Sequence, residues 1–250
     1  MTGDEPLDGT VALVTGASSG IGAAAARRFA SDGANVVLAA RSGDALESVA
    51  ADCRDSGGDA LAVPTDVADP NAVAVLVDAT TDRFGRLDTV VVNAGIGEER
   101  NRALDDLPLE QFERVTETNV HGAYYTTRAA LPALREGNGA LVFVGSYKGQ
   151  YPSTSTPIYA ASKWWLRGFA KSVAGRVGPE GVGVTVVNPS GVTTDFGSEF
   201  RETTNADSLP AADTLDATDV ADAIAYVAGQ PAPATVTELD LYRRDIMERF

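Results

Sequence analysis

A serine, a tyrosine and a lysine stand at a spacing that suits proton transfer. Tyr159 follows Ser146 by thirteen residues, and Lys163 follows Tyr159 by four. Residues four apart on a helix share a face, so we expect the phenol and the ammonium to be neighbours. Because a nearby positive charge favours the phenolate, Lys163 should lower the pKa of Tyr159 from its ordinary value of about 10. With a Ser146 hydroxyl to hold the oxygen that Tyr159 protonates, the three residues predict general acid–base chemistry.

Short β-branched runs alternate with longer helical patterns along the chain, and this alternation predicts parallel strand pairing with right-handed crossovers. We therefore expect a single doubly wound, Rossmann-type α/β domain, its mostly parallel sheet covered by helices on both faces. The predicted strands are Val11–Thr15, Asn35–Ala40, Ala60–Pro64, Thr89–Asn93, Ala140–Gly145, Gly183–Asn188 and Thr235–Leu241. The predicted helices are Ile21–Ser31, Asp44–Asp55, Asn71–Phe84, Leu109–Arg135 and Ala217–Gly229.

This pattern divides the domain into two functional halves. A cofactor-binding half is expected over about residues 10–135, and a catalytic and substrate-binding half over about 136–245. The irregular stretch over about 190–216 is rich in Gly, Thr, Asn and Pro, and irregular segments of that length in compact domains are often lids. We predict that it closes over the substrate.

A glycine-rich turn joins the first strand to the first helix. Thr15–Gly22 has the spacing G-x-x-x-G-x-G. Glycines there permit a tight turn and a close approach of the backbone to a pyrophosphate, which then lies at the helix N-terminus. The turn therefore predicts a dinucleotide site whose binding residues are Gly16, Ser18, Ser19, Gly20, Ile21 and Gly22.

The end of the second strand indicates which dinucleotide is bound. NAD-binding sites usually place an acidic residue there for the ribose hydroxyls. This chain instead has Arg41 and Ser42, which offer a planar guanidinium and a hydroxyl to a 2′-phosphate. We expect NADP(H) rather than NAD(H); the alternative is that Arg41 is a solvated residue opening the next helix.

The charge balance is strongly acidic. The 250 residues include 20 Lys and Arg against 35 Asp and Glu, for a formal net charge of −15, and only 3 of the basic residues are lysines. Such a surface repels itself at low salt, whereas 1 M salt shortens the Debye length to about 3 Å. We therefore hypothesise a halophilic protein, with an ordinary acidic enzyme as the alternative. The same charge argues against nucleic acid as a partner.

Several function classes lack the residues they need. Cys53 is the only cysteine, so we expect neither an internal disulfide nor a metal site. His121 is the only histidine, so a Ser-His-Asp hydrolase would have to be built on it, and local packing is the simpler expectation. No apolar run approaches the ~20 residues that span a bilayer, and residues 1–9 lack a signal-peptide pattern. We expect a cytoplasmic protein with no membrane partner.

Taken together, these motifs resemble the short-chain dehydrogenase/reductase family, in its branch of about 250 residues. The likeness extends from Thr10 to about Leu241. The segments that carry it, in the family's order, are Thr15–Gly22, Asp66 and Val67, Asn93 with Ala94 and Gly95, Asn119, Ser146, and Tyr159–Lys163.

The resemblance implies a role for each matching residue. Tyr159 would be the general acid/base, Ser146 would hold the substrate oxygen, and Lys163 would lower the pKa of Tyr159 and hold the nicotinamide ribose. Asn119 would maintain a water relay behind Lys163. Asp66 and Val67 would contact the adenine, with Asn93, Ala94 and Gly95 along the adenosine side. The nicotinamide would lie against Pro189, Gly191, Val192 and Thr194. Where the family usually has a glycine directly after the proline, this chain has Ser190, which would disturb the loop if that position needs a positive φ.

The resemblance implies an NADP(H)-dependent oxidoreductase that interconverts a secondary alcohol and a ketone or aldehyde, acting as a homodimer or homotetramer. The alternatives are a dinucleotide-binding sensor without turnover, an NAD-dependent dehydrogenase of a sugar or 3-hydroxy acid, and a lyase or epimerase. Phe196 and Phe200 in the expected lid favour a small or medium, uncharged carbonyl substrate. An anionic one would need a basic residue such as Lys148 or Arg201.

Overall fold

The computed structural model describes residues 7–208, 214–244 and 246. Within these residues the core is one seven-stranded sheet in which every neighbouring pair of strands is parallel. The strands are β1 (Val11–Thr15), β2 (Asn35–Ala40), β3 (Ala60–Pro64), β4 (Thr89–Val92), β5 (Ala140–Val144), β6 (Gly183–Pro189) and β7 (Glu238–Leu241). The order across the sheet is β3-β2-β1-β4-β5-β6-β7, so the predicted doubly wound sheet is confirmed.

Helices cover both faces of the sheet because successive strand residues point to opposite sides. In β1, Ala12 and Val14 pack in one apolar cluster, while Val11 and Leu13 pack in the other. The helices are α1 (Gly20–Ser31), α2 (Gly43–Asp55), α3 (Pro70–Phe84), α4 (Leu109–Thr116), α5 (Gly122–Gly137), α6 (Pro157–Val177), α7 (Asn205–Ser208) and α8 (Ala217–Ala228). The first cluster includes side chains of α1, α2 and α8, and the second those of α3, α5 and α6.

The position of β1 between β2 and β4 fixes where a ligand can bind. From β1 the chain winds outward through β2 and β3 to one side, then returns to β4 on the other side. Connections leaving β1 and β4 therefore diverge, and a crevice opens at the carboxyl ends of these two strands. The predicted glycine-rich turn follows β1, and Asn93 follows β4, so both lie at this crevice.

The single predicted helix over Leu109–Arg135 is wrong in one respect. A π-helical turn, Glu117–His121, separates α4 from α5. Such a turn inserts an extra residue into the helix and re-aims the side chains on it, and it is often found at functional sites. Here it contains the buried Asn119. Sequence periodicity does not register a single inserted residue, which explains the error.

Several predicted boundaries also shift. The fourth strand ends at Val92, so Asn93 begins the following loop, and the last strand begins at Glu238 rather than Thr235. The expected lid over 190–216 contains the short helix α7 and a parallel bridge between Val192 and Leu215. Residues 209–213 of that stretch lie outside the described residues.

No helix in the described part of the chain is both long enough and apolar enough to cross a membrane.

Two helical glycines give a matched test of how tightly the β1–α1 turn is packed. A β-carbon on Gly22 would lie 2.2 Å from the Gly16 carbonyl oxygen and 2.6 Å from Asn93 Nδ2, whereas one on Gly168, exposed on α6, would meet nothing within 4 Å. We expect Gly22→Ala to lower the free energy of unfolding by about 1–3 kcal/mol and Gly168→Ala to raise it by about 0.5–1 kcal/mol. Chemical denaturation of both variants measures this; equal effects would contradict the packing described.

Candidate active site

A cavity of about 1070 Å³ runs along the carboxyl ends of the strands. It is larger than most ligand pockets, which span about 300–1,000 Å³, so it has room for a dinucleotide with a substrate beside it. Two of the predicted site residues, Gly22 and Asn119, do not line it. The predicted residues that do are Gly16, Ser18, Ser19, Gly20, Ile21, Arg41, Ser42, Asp66, Val67, Asn93, Ala94, Gly95, Ser146, Tyr159, Lys163, Pro189, Gly191, Val192 and Thr194.

Hydrogen bonds fasten the β1–α1 turn to the loop after β4. The Asn93 amide nitrogen donates to the Thr15 and Gly16 carbonyl oxygens at 2.9 and 3.2 Å, and Thr15 Oγ1 accepts from the backbone N–H groups of Asn93 and Ala94 at 3.0 and 3.2 Å. Gly16 has φ +67°, where a side chain would be strained and would also meet Asn93. The Asn93 side chain therefore shapes the turn as well as lining the cavity.

Arg41 lines the cavity and binds Glu199, a residue of the expected lid. Its two terminal nitrogens donate to the Glu199 carboxylate at 2.8 and 3.3 Å, and Arg114 donates to the same carboxylate at 3.2 Å. Hydrogen bonds from Arg41 and Arg114 hold the pKa of Glu199 below its ordinary value, although burial opposes them. About half of the Arg41 side chain remains exposed, so its guanidinium is accessible from the cavity.

The structure brings Ser146, Tyr159 and Lys163 together at the floor of the cavity. Ser146 follows β5, and the other two lie one turn apart near the start of α6. The Lys163 ammonium is buried and donates to the Val144 carbonyl oxygen, at the end of β5, at 2.7 Å. It lies 5.7 Å from the centre of the Tyr159 ring, and the Ser146 side chain hydrogen-bonds Tyr159. The predicted cluster is therefore present.

The expected direction of the Tyr159 shift is wrong. Burial raises the pKa of Tyr159 to about 12, although the hydrogen bond from Ser146 and the positive charge of Arg201 oppose this. Burial also lowers the pKa of Lys163 to about 8. The low-dielectric surroundings disfavour both charged forms, and this outweighs the attraction that spacing alone suggested. At neutral pH Tyr159 is a protonated donor.

Asn119 acts through the backbone of the loop after β4. Its Oδ1 accepts from the Ile96 N–H and its Nδ2 donates to the Ile96 carbonyl oxygen, both at 2.9 Å. Its Nδ2 also donates to Ser162 Oγ at 3.0 Å, and Ser162 lies directly before Lys163. Asn119 thus connects the π-helical turn with the loop after β4 and with α6.

A buried carboxylate that the sequence analysis missed caps the helix carrying Tyr159. Glu98, with 1% of its surface exposed, accepts from the backbone N–H groups of Ile158 and Tyr159 at 2.8 and 3.0 Å. Thr156, at the N-cap position of α6, makes no capping hydrogen bond with its side chain. An anion at a helix N-terminus is stabilising, by up to about 2 kcal/mol in partly buried sites. Glu98 reaches the helix from 60 residues away, which no local pattern predicts.

The loop after β6 accommodates Ser190 without strain. Ser190 is not among the described residues with positive φ, and its hydroxyl accepts from the Arg243 N–H at 2.9 Å. The concern raised by the missing glycine therefore does not apply. A β-carbon on Gly20 would lie 3.2 Å from the Thr194 methyl, so this loop closes over the glycine-rich turn.

The side of the cavity next to the expected lid is less apolar and more basic than predicted. Phe196 lines the cavity, with its ring centre 5.2 Å from that of Tyr159, but Phe200 does not line it. Arg100, Lys148 and Arg201 line the cavity as well, and Arg100 carried no signal in the sequence. This side of the cavity therefore combines the Phe196 ring with three basic groups.

His121 lies outside the cavity. It lies in the π-helical turn, is exposed, has its ring centre 6.0 Å from that of Tyr125, and does not line the cavity. Within the described residues no group of three or more His, Cys, Asp and Glu side chains is arranged to hold a metal ion.

Comparison with known proteins gives consistent matches. The family model described as short chain dehydrogenase matches residues 10–205. The chain is 34% identical over 233 residues to a 3-oxoacyl-[acyl-carrier-protein] reductase of Synechocystis, covering 92% of this chain and 94% of that one. It is also 34% identical over 247 residues to a glycine betaine reductase of Emericella nidulans, covering 96% of this chain but only 19% of that protein's length.

Solved structures match over nearly the full length. A short-chain dehydrogenase from Burkholderia cenocepacia in complex with NADP is 35% identical, with a TM-score of 0.85 over 95% of this chain and 98% of that one. A 3-ketoacyl-(acyl-carrier-protein) reductase from Brucella melitensis, complexed with NADH, is 32% identical, with a TM-score of 0.84 over 94% and 98%.

Replacing Lys163 by Met tests the burial of its ammonium. Because the folded pKa of about 8 lies below the ordinary value of 10.5, the unfolded chain binds more protons between those pH values, and wild-type stability rises with pH there. The wild type should gain about 1.5 kcal/mol relative to Lys163→Met between pH 8 and 9.5.

Urea denaturation of both proteins at several pH values measures the difference, in which the titration of every other group largely cancels. Parallel pH profiles would contradict a buried, depressed ammonium at this position.

Proposed function

This chain belongs to the short-chain dehydrogenase family, and on that basis we propose that it is an NADP(H)-dependent oxidoreductase that interconverts an alcohol and a ketone or aldehyde. The observation that carries the proposal is the convergence of Ser146, Tyr159 and the buried Lys163 on one cavity floor, beside a glycine-rich turn. These side chains supply hydrogen bonding and proton transfer but no redox chemistry of their own, so the reaction needs a redox cofactor.

The cavity suits a nicotinamide dinucleotide. Gly16 and Gly20 both have positive φ in the turn before α1. A β-carbon on Gly16 would contact the loop after β4, and one on Gly20 would contact Thr194 in the loop after β6. Ser19, at the N-cap position of α1, makes no capping hydrogen bond with its side chain, so the helix N-terminus is available to a pyrophosphate. In our proposal this turn holds the pyrophosphate, Asp66 and Val67 contact the adenine, and Pro189–Thr194 lie against the nicotinamide.

When bound, the cofactor supplies or accepts the hydride. In the reducing direction, Ser146 and Tyr159 hydrogen-bond the substrate carbonyl oxygen, and Tyr159 donates its phenolic proton to that oxygen as the alcohol forms. The raised pKa keeps the phenol protonated at neutral pH, and the phenolate left behind is stabilised by Ser146 and by the Lys163 ammonium. Lys163 also orients the nicotinamide ribose. The proton consumed is then replaced from solvent.

The preference for NADP(H) rests on Arg41. Its guanidinium faces the cavity at the end of β2, where no carboxylate stands to accept the ribose hydroxyls. Its bridge to Glu199 shows that the side chain already holds an oxyanion in this position. A 2′-phosphate offers a doubly charged partner in place of that carboxylate, and an arginine binds such groups through two parallel hydrogen bonds.

Two other readings lack support from the residues. A sensor that binds the dinucleotide without turnover has no need of a buried lysine beside a tyrosine and a serine, since burial of an ammonium is costly. A dehydrogenase strictly dependent on NAD is disfavoured by Arg41.

We also propose that the protein is a homodimer or homotetramer, because Phe112 on α4 and Trp164 and Trp165 on the adjacent α6 are exposed. Light scattering after gel filtration tests this.

Tyr159→Phe tests the catalytic role. Without the phenolic hydroxyl, kcat/KM for carbonyl reduction should fall by about 10²–10⁴, while the Kd for NADPH stays near that of wild type, because the ring still fills its place. Steady-state kinetics and NADPH fluorescence titration measure the two quantities. Tyr226→Phe, at an exposed tyrosine on α8, is the matched control. A Tyr159→Phe enzyme with wild-type turnover would refute the assignment.

Arg41→Asp tests the cofactor preference. The ratio of kcat/KM for NADPH to that for NADH should fall at least about tenfold, because the 2′-phosphate loses a positive partner and meets a negative one. Arg114→Asp is the control: Arg114 binds the same Glu199 but does not line the cavity. An unchanged ratio in Arg41→Asp, or an equal fall in both variants, would show that Arg41 does not recognise the phosphate.

A further inference from the structure

Three basic side chains meet at the substrate side of the cavity, next to Ser146 and Tyr159. Arg100 lies in the loop between β4 and α4, Lys148 lies two residues after Ser146, and Arg201 lies in the expected lid. We call these residues the basic trio. They come from three separate segments of the chain, so their meeting is a property of the fold rather than of a local charge run.

Each member of the basic trio is held in place by neutral partners. Lys148 Nζ donates to Thr156 Oγ1 at 2.6 Å, and Arg201 Nε donates to the Glu98 carbonyl oxygen at 2.8 Å. Arg201 also stacks on Phe196, at 5.5 Å from the ring centre, and Arg100 donates to the Asn205 side-chain oxygen. The groups are thus positioned before any ligand arrives.

The charges of the basic trio are poorly compensated. On this acidic chain most other basic residues bind a carboxylate, yet none of these three has a salt bridge within the described residues. The nearby Glu98 carboxylate accepts from the N-terminus of α6, and Glu199 is bound by Arg41 and Arg114. Asp195 also lines the cavity.

Burial and mutual repulsion both act on the pKa of Lys148. Burial, followed by the positive charges of Arg100 and Arg201, lowers the pKa of Lys148 to about 8, against a smaller attraction from Glu98. Burial and the charge of Arg100 likewise lower the pKa of Arg201. An anion bound among these groups would offset both their mutual repulsion and the cost of burying their charges.

We propose that the basic trio binds the carboxylate or phosphate group of an anionic substrate and so holds its carbonyl group against Ser146 and Tyr159. This inference rests on the proposed function and names the substrate class for it. The overall charge of −15 repels anions, so a concentrated positive site is what such a substrate requires. Guanidinium and ammonium groups make the strongest hydrogen bonds to such oxyanions. The sequence-based expectation of an uncharged substrate is therefore replaced by an anionic one.

Matched substrates provide the test. Oxo acids of rising chain length are compared with their amides, and phosphate esters of hydroxyketones with the free hydroxyketones, all with NADPH at one fixed salt concentration. At least one anion of either type should have a kcat/KM at least tenfold above that of its neutral partner. The carboxylate and phosphate arms distinguish the two sources of charge. No preference for any anion, in an enzyme that reduces the neutral compounds, would overturn the inference while leaving the proposed function intact.

Variants connect the preference to these residues. Lys148→Gln, Arg100→Gln and Arg201→Gln should each reduce the anion-to-neutral ratio of kcat/KM at least about fivefold, while Lys148→Arg and Arg201→Lys, which keep the charge, should retain most of it. Arg176→Gln removes the same charge from an exposed site on α6 and should leave the ratio unchanged. A preference that survives all three glutamine variants would overturn the inference.

A binding measurement tests the inference even when a variant does not fold or when the enzyme reduces none of the carbonyl compounds. Calorimetry of the wild-type protein with bound NADP⁺ compares pentanoate with pentanamide, and inorganic phosphate alone serves as a third probe. Tighter binding of an anion than of the amide supports the site even if no carbonyl compound is reduced, in which case the proposed function fails by itself. Equal affinity of the amide and both anions would overturn the inference.

Discussion

The reversal of strand order at β1 is the constraint on which the rest of the structure depends. Because β1 pairs with β2 on one side and β4 on the other, the loops after β1 and β4 separate and leave a crevice. The adjacent β5 and β6 end at the same edge of the sheet, so Ser146 and Pro189 lie there too. Ser146, the glycine-rich turn and the loop after β6 meet because parallel strands end at a common edge of the sheet.

Burial decides the electrostatics at that edge. Lys163 and Tyr159 lie close together, yet the low-dielectric surroundings disfavour charge on each of them more strongly than their proximity favours it. The Lys163 ammonium donates to a backbone carbonyl oxygen at the end of β5, and the buried Glu98 caps the N-terminus of α6. A site with such costly groups stays folded because the two apolar layers around the sheet stabilise it from both faces.

Much of this could be read from the sequence, since strand periodicity and the glycine spacing are local signals. The sheet, the turn and the Ser146, Tyr159 and Lys163 cluster were all predictable in this way. The remainder depends on contacts between distant segments: the π-helical turn at Asn119, the Glu98 cap of α6, the Arg41 bridge to Glu199 and the basic trio. The direction of the Tyr159 pKa shift was also predicted wrongly, because residue spacing does not show how deeply a side chain is buried. Salt dependence and cellular location remain predictions from composition.

Transfer of deuterium from the cofactor tests the central claim, hydride transfer at this edge of the sheet, most directly. Two forms of NADPH, each deuterated at one of the two faces of C4, are incubated separately with the protein and a panel of carbonyl compounds. The products are analysed by mass spectrometry. We predict an alcohol with one deuterium on the carbinol carbon, formed from one of the two C4-deuterated forms and not from the other. Bound NADPH that is never consumed, with no deuterium in any product, would contradict the account.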